Sequence, residues 1–378
     1  MLNKRIKSVD IFRGLGMVYI MVGHMIDWWS HPVDDWLFYV YVSLFSALGA
    51  AGFVFISGVS TMISYRKRMG RAKNHKEHSS ETVKKEYLIR GLLIMGLALV
   101  YNCIVAIEFF DPLNIWKWFI ILTVAMCLIF AWPFLRTSKL VRIVSGCLIW
   151  IVNLIILAIL RPYEGKTNIP GIIFYFFYNS LDQNPILSFF TFFLIGTVIG
   201  DILYDFSLIE NKIERKIAFR KKIFIPLLSG GVILITLGIS FLFPDLFSEK
   251  ILTIKTNIWW LIYSLGLDLI ILLIFLIFEE FEIIGAKKSY KFLFYFSYYS
   301  LTLFLLQNIN FFPFYGLLTR YNIWIFIIAT VILYGILLRL IYDKLERKFS
   351  LKVQVGLLAV KFARKEKKDF IKILKKDD

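Results

Sequence analysis

Residues Ser8 to Trp29 read SVDIFRGLGMVYIMVGHMIDWW, a stretch long and apolar enough to cross a bilayer as a helix that nevertheless carries Asp10, Arg13, His24 and Asp27. Ionisable groups are expensive inside a spanning helix, so their presence marks a functional site facing the interior of a helix bundle. At ~100° per residue, Asp10, Arg13, Met17, Met21, His24 and Asp27 fall within about a third of the helix circumference. They form one polar stripe. Arg13 and His24 are about three turns apart, which at ~1.5 Å per residue separates a guanidinium from an imidazole by ~16 Å along that stripe.

The rest of the chain has the same character. Of 378 residues 58% are hydrophobic, and the mean hydropathy of +0.70 excludes an ordinary soluble protein. The first apolar stretch is long, is interrupted by Arg13 and has no small-residue cleavage pattern, so it is expected to remain as a membrane anchor. Cys103, Cys127 and Cys147 lie in apolar runs without metal-ligand spacing, and neither a disulfide framework nor a metal site is expected. A net charge of +17 would fit a nucleic-acid binder if the basic residues formed one face. They cluster instead in alternate loops between apolar spans, so nucleic acid is not the expected partner.

A window of ~20 apolar residues gives about ten spans. They fall near 9–30, 36–64, 89–108, 116–134, 141–160, 186–204, 223–243, 258–278, 294–316 and 322–342, and the expected fold is an all-α polytopic membrane protein. On this topology one face holds 37 of the 44 Lys and Arg. The positive-inside bias then puts both termini in the cytosol and makes the span number even. The chain divides into a membrane domain over 1–348 and a basic amphipathic cytosolic tail over 349–378. The basic loop from Arg66 to Lys85 carries His75 and His78 three residues apart, but no further ligand is fixed nearby, and a solvated cytosolic loop is the expected reading. The aromatic run Phe174 to Tyr178, between the fifth and sixth spans, is too short to cross and is expected as an interfacial or re-entrant segment.

The pattern Arg5-x-x-Ser8-x-Asp10-x-x-Arg13-Gly14, followed after ten residues by His24, resembles the opening of the transmembrane acyltransferase superfamily. The next span, Gly52-Phe53-Val54-Phe55-Ile56-Ser57-Gly58-Val59-Ser60, is similar to its heparan-alpha-glucosaminide N-acetyltransferase branch. Family-like fragments recur at Phe192 to Gly200 and at Tyr299 to Leu306, where the family often continues with a histidine and this chain has Gln307. The resemblance implies a donor, acetyl-CoA or another acyl-CoA, on the cytosolic side and an acceptor, a glycan or lipid-linked sugar, on the outer side. It also implies an integral multi-pass protein, in the cell membrane if the source is prokaryotic. Homo-oligomerisation is left open.

Each residue of the stripe then has a chemical use. Arg13, toward the cytosolic mouth, can pair with the donor's phosphates with Asp10 beside it; alternatively Asp10 and Arg13 form a structural ion pair one turn apart. Neutral imidazole, with an ordinary pKa of about 6.5, can take a proton from an incoming hydroxyl or amine, so His24 is read as general base, or as a covalent acyl carrier. Asp27, one turn on, can orient that imidazole or stabilise its protonated form. Ser57, with Gly49, Gly52, Gly58 and Ser60, is read as packing rather than as a nucleophile. Asn102, Glu108, Asn153, Asp201, Asp268, Gln307 and Asn308 are candidates for lining a cavity. From other classes, a transporter with an intramembrane His/Asp/Arg proton relay is the leading alternative, although no inverted repeat or matched pair of broken spans supports it. A noncatalytic membrane partner is the third reading.

Overall fold

Apolar runs this long have to satisfy their backbone internally, and helices do so segment by segment. The computed structural model describes residues 5–45, 48–74, 80–108, 110–179, 183–243, 247, 257–283 and 290–363, and among these there is no β-strand beyond a single bridge between Ser30 and Leu318. The helices are α1 (Lys7–Trp29), α2 (Trp36–Phe45), α3 (Ala50–Asn74), α4 (Ser80–Glu108), α5 (Ile120–Ala131), α6 (Lys139–Leu160), α7 (Ile169–Tyr178) and α8 (Ile186–Ser207). They continue with α9 (Lys212–Ala218), α10 (Ile225–Leu242), α11 (Ile258–Glu280), α12 (Lys291–Tyr298), α13 (Ser300–Leu306), α14 (Ile323–Leu345) and α15 (Leu351–Ala363). A π turn over Phe219–Phe224 joins α9 to α10.

Eight segments of the described residues are long and apolar enough to cross a membrane: Lys7–Trp29, Ser80–Glu108, Pro112–Ala131, Lys139–Tyr163, Ile186–Ser207, Lys212–Leu242, Ile258–Glu280 and Ile323–Leu345. The chain is therefore an all-α, integral, multi-pass membrane protein. The two other expected spans, 36–64 and 294–316, are broken. The first is divided between α2 and α3, and the second into α12, α13 and a 3-10 turn over Gln307–Phe311. A break in a span exposes carbonyls that need new donors. Ser350 Oγ donates to the Tyr298 carbonyl at 3.0 Å, and Lys352 Nζ donates to that of Ser297 at 2.7 Å.

The bundle is built around α1, which packs against α2, α3, α11, α12, α13 and α14. Its first turn has no cap of its own, because Ile6 precedes it. Glu279 of α11 supplies one, accepting from the Lys7 and Ser8 amides at 3.1 and 2.8 Å and from the Ser8 hydroxyl. A carboxylate there also complements the positive end of the helix. At the other end the Trp28 and Trp29 carbonyls accept from the Gly316 and Leu318 amides at 2.9 and 2.8 Å, and Trp29 Nε1 donates to the Asn310 carbonyl. Both ends of the stripe-bearing helix are thus held by the C-terminal third of the chain.

The two glycine-rich motifs at 52–60 and 192–200 turn out to be one interface. A Cβ added at Gly58 would land on the Phe193 carbonyl, one at Gly196 on the Phe55 carbonyl, and one at Gly200 on the Val59 carbonyl. Only hydrogen at these positions lets α3 and α8 approach so closely. Their cytosol-proximal ends, on the expected topology, are joined by an ion-pair network. Arg142 of α6, 1% exposed, donates to Asp201 at 2.5 Å and to the Thr197 carbonyl at 3.0 Å, while Arg66 of α3 bridges Asp201 and Asp205 at 2.8 and 2.7 Å.

The aromatic run forms the short helix α7. Phe174 and Tyr178 are buried beside Leu160, and Trp116 and Trp118 both donate to the Phe176 carbonyl. His75 and His78 lie outside the described residues, as does the tail beyond Ala363. Over 351–363 the tail forms α15, which packs against α4 and α13 and buries Val355 and Ala359.

Candidate active site

The polar stripe survives on an unbroken α1. Asp10, Met17 and Met21 are buried, Arg13 and His24 are partly buried, and Asp27 is exposed. Asp10 is not the hydrogen-bond partner of Arg13. It takes Arg5, whose Nη2 donates to Oδ1 at 3.0 Å, and it accepts from Ser297 Oγ at 3.5 Å. Arg13 reaches across instead to α3 and donates to Ser60 Oγ, which in turn donates to the Ile56 carbonyl at 2.8 Å. A hydroxyl satisfies one of the five N–H groups of a guanidinium and neutralises none of its charge.

The packing that sets Arg13 is tight. A Cβ at Gly14 would strike the Leu293 carbonyl, so glycine here lets α12 lie directly on α1 and brings Ser297 to Asp10. On the α3 side the Gly58–Phe193 contact lies a half turn from Ser60 and fixes its position.

Further basic groups join this end of the stripe. Arg13 is close enough for its charge to act on Arg90 of α4 and on Lys352 of α15, and Arg90, Arg5 and Asp10 act on Lys352 as well. Burial drives the Lys352 ammonium well below the ordinary lysine pKa, Arg13 adds to that effect, and Asp10 opposes it. The expected spans put Arg90 in the first turn of 89–108 and Lys352 in the surface tail over 349–378. The usable signal was a basic residue one turn inside an apolar segment.

Toward the other end of α1, His24 stacks on Trp28 with ring centroids 4.9 Å apart at 17°, and Trp28 meets Phe311 edge-on. The broken span lies alongside. Gln307 and Asn310 are 2% and 5% exposed, with Gln307 Oε1 and Asn310 Nδ2 lacking hydrogen-bond partners among the described residues, and Asn308 accepts from Tyr101. Gln307 lies on the 3-10 turn that packs against α1.

The other polar candidates separate into two kinds. Asn102 donates to the Ile115 and Lys117 carbonyls, Asn153 accepts from Tyr178, and Asp201 is held by Arg142, so these three staple helices and loops together. Asp268 is fully buried, and among the described residues neither of its carboxylate oxygens has a hydrogen-bond partner; nor do Ser264 Oγ and Trp260 Nε1, one and two turns before it. No group of three or more metal-ligating side chains occurs among the described residues.

Fold and stripe together define a polytopic membrane protein with a polar helix, cationic at one end and bearing an imidazole at the other, threaded through its centre. The chain belongs to the heparan-alpha-glucosaminide N-acetyltransferase, catalytic family, whose model matches residues 5–247. That membership makes it a multi-pass membrane transferase of the acetyltransferase kind. No curated protein matches the chain. The matched region contains α1 through α10 and therefore Asp10, Arg13, His24 and Asp27. Glu279, Ser297, Gln307 and Lys352, which surround α1, lie beyond it.

Proposed function

We propose that the protein moves an acetyl or other short acyl group from cytosolic acyl-CoA to an externally facing glycan or lipid-linked sugar. Arg13 holds the donor's phosphates at the cytosolic mouth, and Asp10 holds Arg5 and Ser297 in place around it. The pantetheine arm runs along α1 and carries the thioester toward His24. In the general-base form, His24 takes the proton from the acceptor's hydroxyl or amine as that atom attacks the thioester carbonyl. The tetrahedral intermediate then expels the CoA thiolate, which recovers the proton from the imidazolium. In the carrier form, an imidazole nitrogen attacks the thioester, the thiolate leaves, and the acceptor takes the acyl group from acyl-histidine. Asp27 orients the ring in either case.

The observation that carries this reading is the pairing of Asp10 with Arg5, which among the described residues leaves the Arg13 guanidinium bound only to a neutral hydroxyl, three turns from His24 on the same helix. Orientation is part of the proposal, since the donor is cytosolic: both termini lie in the cytosol and Ser30–Asp35 lies outside. Incubating the purified protein with labelled acetyl-CoA and no acceptor, followed by mass analysis, tests the chemistry. Label on His24 selects the carrier form, slow hydrolysis without label selects the base, and intact acetyl-CoA throughout, with acceptors also present, defeats both. Labelling of cysteines introduced between Arg66 and Arg71 by an impermeant reagent from outside intact cells would overturn the orientation.

A further inference from the structure

Lys352 is not on a loose tail. Thr302 Oγ1 donates to the Phe349 carbonyl and accepts from the Leu351 amide, each at 3.1 Å, and Tyr299 OH donates to the Glu346 carbonyl at 2.9 Å. With Ser350 on the Tyr298 carbonyl, these bonds fix the first turn of α15 against the broken span and hold the Lys352 ammonium on Ser297, the residue that also touches Asp10.

The acids nearby are already taken. Asp10 is paired with Arg5, and Glu86 is paired with Arg68 at 2.8 Å. Among the described residues Arg13, Arg90 and Lys352 have no carboxylate ion pair of their own, and Arg90 Nε is buried without any hydrogen-bond partner. Three cations brought together from α1, α4 and α15 repel one another unless an anion sits among them. Guanidinium groups match phosphate oxygens in geometry, and an ammonium adds a point charge.

We infer that Arg90 and Lys352 complete, with Arg13, a binding site for a polyphosphate anion, the diphosphate of a nucleotide-bearing acyl donor, so that the C-terminal helix forms one wall of the donor site. This rests on the donor reading above and adds to it Arg90 and, from outside the family-matched region, Lys352. A phospholipid headgroup offers related chemistry, and the experiment separates the two.

Full-length protein in uncharged detergent is titrated calorimetrically with CoA, inorganic pyrophosphate and pantetheine. Variants are Lys352→Met, Lys352→Arg, Arg90→Met and, as a control on the exposed side of α15, Lys361→Ala. Losing one charge-assisted contact weakens binding by about tenfold, so CoA and pyrophosphate should each lose about that factor in both methionine variants. Pantetheine binding and Lys361→Ala should match wild type, and Lys352→Arg should keep most of the affinity. Arg90→Met, whose Nε has no bond to lose, reads the site even if Lys352→Met loosens α15. Unchanged CoA affinity in folded Lys352→Met and Arg90→Met overturns the inference and leaves the donor reading standing. Lys352-dependent pyrophosphate binding in a protein that takes no CoA supports the cluster and sinks the donor reading. In nanodiscs, displacement of CoA by phosphatidylglycerol at millimolar-excess lipid still supports a shared phosphate site. Phosphatidylglycerol binding that depends on Lys352, with CoA affinity that does not, assigns the cluster to lipid and overturns it.

Discussion

Replacing Gly196 by alanine should damage both stability and donor binding, although alanine is the better helix former. A Cβ at this position lies 3.1 Å from the Phe55 carbonyl carbon and 3.1 Å from the Val59 amide nitrogen, and closer still to the Phe55 oxygen. Comfortable non-bonded separations are about 3.5–4.0 Å, so α3 and α8 must part by on the order of 1 Å. Overpacking of this kind costs about 1–3 kcal/mol, against which the exchange of glycine for alanine in a helix returns about 1 kcal/mol. The net expectation is a loss of up to about 2 kcal/mol. Gly96 of α4 provides the reference, because a Cβ there meets nothing within 4 Å, and Gly96→Ala should gain up to about 1 kcal/mol. Displacing α3 also moves Ser60, the partner of Arg13, so CoA affinity should fall in Gly196→Ala and stay unchanged in Gly96→Ala. Equilibrium unfolding in mixed micelles and calorimetry with CoA read the two effects. Equal stability of the two variants would refute the close-packing argument, and a destabilised Gly196→Ala with wild-type CoA affinity would refute its link to Arg13.

Arg142→Met should destabilise the protein by about 3 kcal/mol or more by leaving Asp201 buried with one partner, and the double variant Arg142→Met/Asp201→Leu should recover much of that loss, both read by the same unfolding assay. CoA affinity should weaken as pH rises, at values below the ordinary lysine range, because Lys352, depressed by burial and by Arg13, Arg5 and Arg90 against Asp10, and lying over the Tyr298 ring, loses its charge sooner than an ordinary lysine. Anion binding favours the protonated form, so the sign is a falling affinity with rising pH; Lys352→Arg should flatten the profile, and a wild-type affinity that stays constant over the whole range in which the protein is folded, up to the ordinary lysine range, would contradict it. Ser60→Ala removes the hydroxyl that accepts from Arg13 and should raise the Kd for CoA severalfold without altering the affinity for pantetheine, measured by calorimetry.

What could be read from the chain was whatever is local. The helix at Lys7–Trp29 and its stripe follow from hydropathy and a 3.6-residue period, and the depth separation of Arg13 and His24 follows from rise per residue alone. The broken spans were hidden because hydropathy runs without interruption through 36–64 and 294–316. Near Tyr299 the break is accompanied by contacts distant in sequence, Tyr299 to Glu346 and Ser350 to Tyr298. The small residues of 52–60 and 192–200 were legible as packing surfaces, but that they pack on each other is a tertiary fact. For the same reason the partner of Asp10 was open between structural pairing with Arg13 and donor contact. Arg5, five residues away and outside the helix, takes it through a turn that helical periodicity does not describe. Arg90 and Lys352 could not be joined to Arg13 from spacing, because only the docking of α15 on α4 brings them together.

The most direct test of the account is single-turnover cleavage of the acetyl-CoA thioester, with an amino-sugar and a hydroxyl-sugar acceptor in turn, in wild type and in His24→Ala. Folding and CoA affinity of both proteins are checked first. The account predicts CoA release coupled to acceptor acylation in wild type, and a loss of at least about a hundredfold in His24→Ala with donor affinity largely retained. Equal rates in the two proteins at saturating donor and acceptor would contradict it.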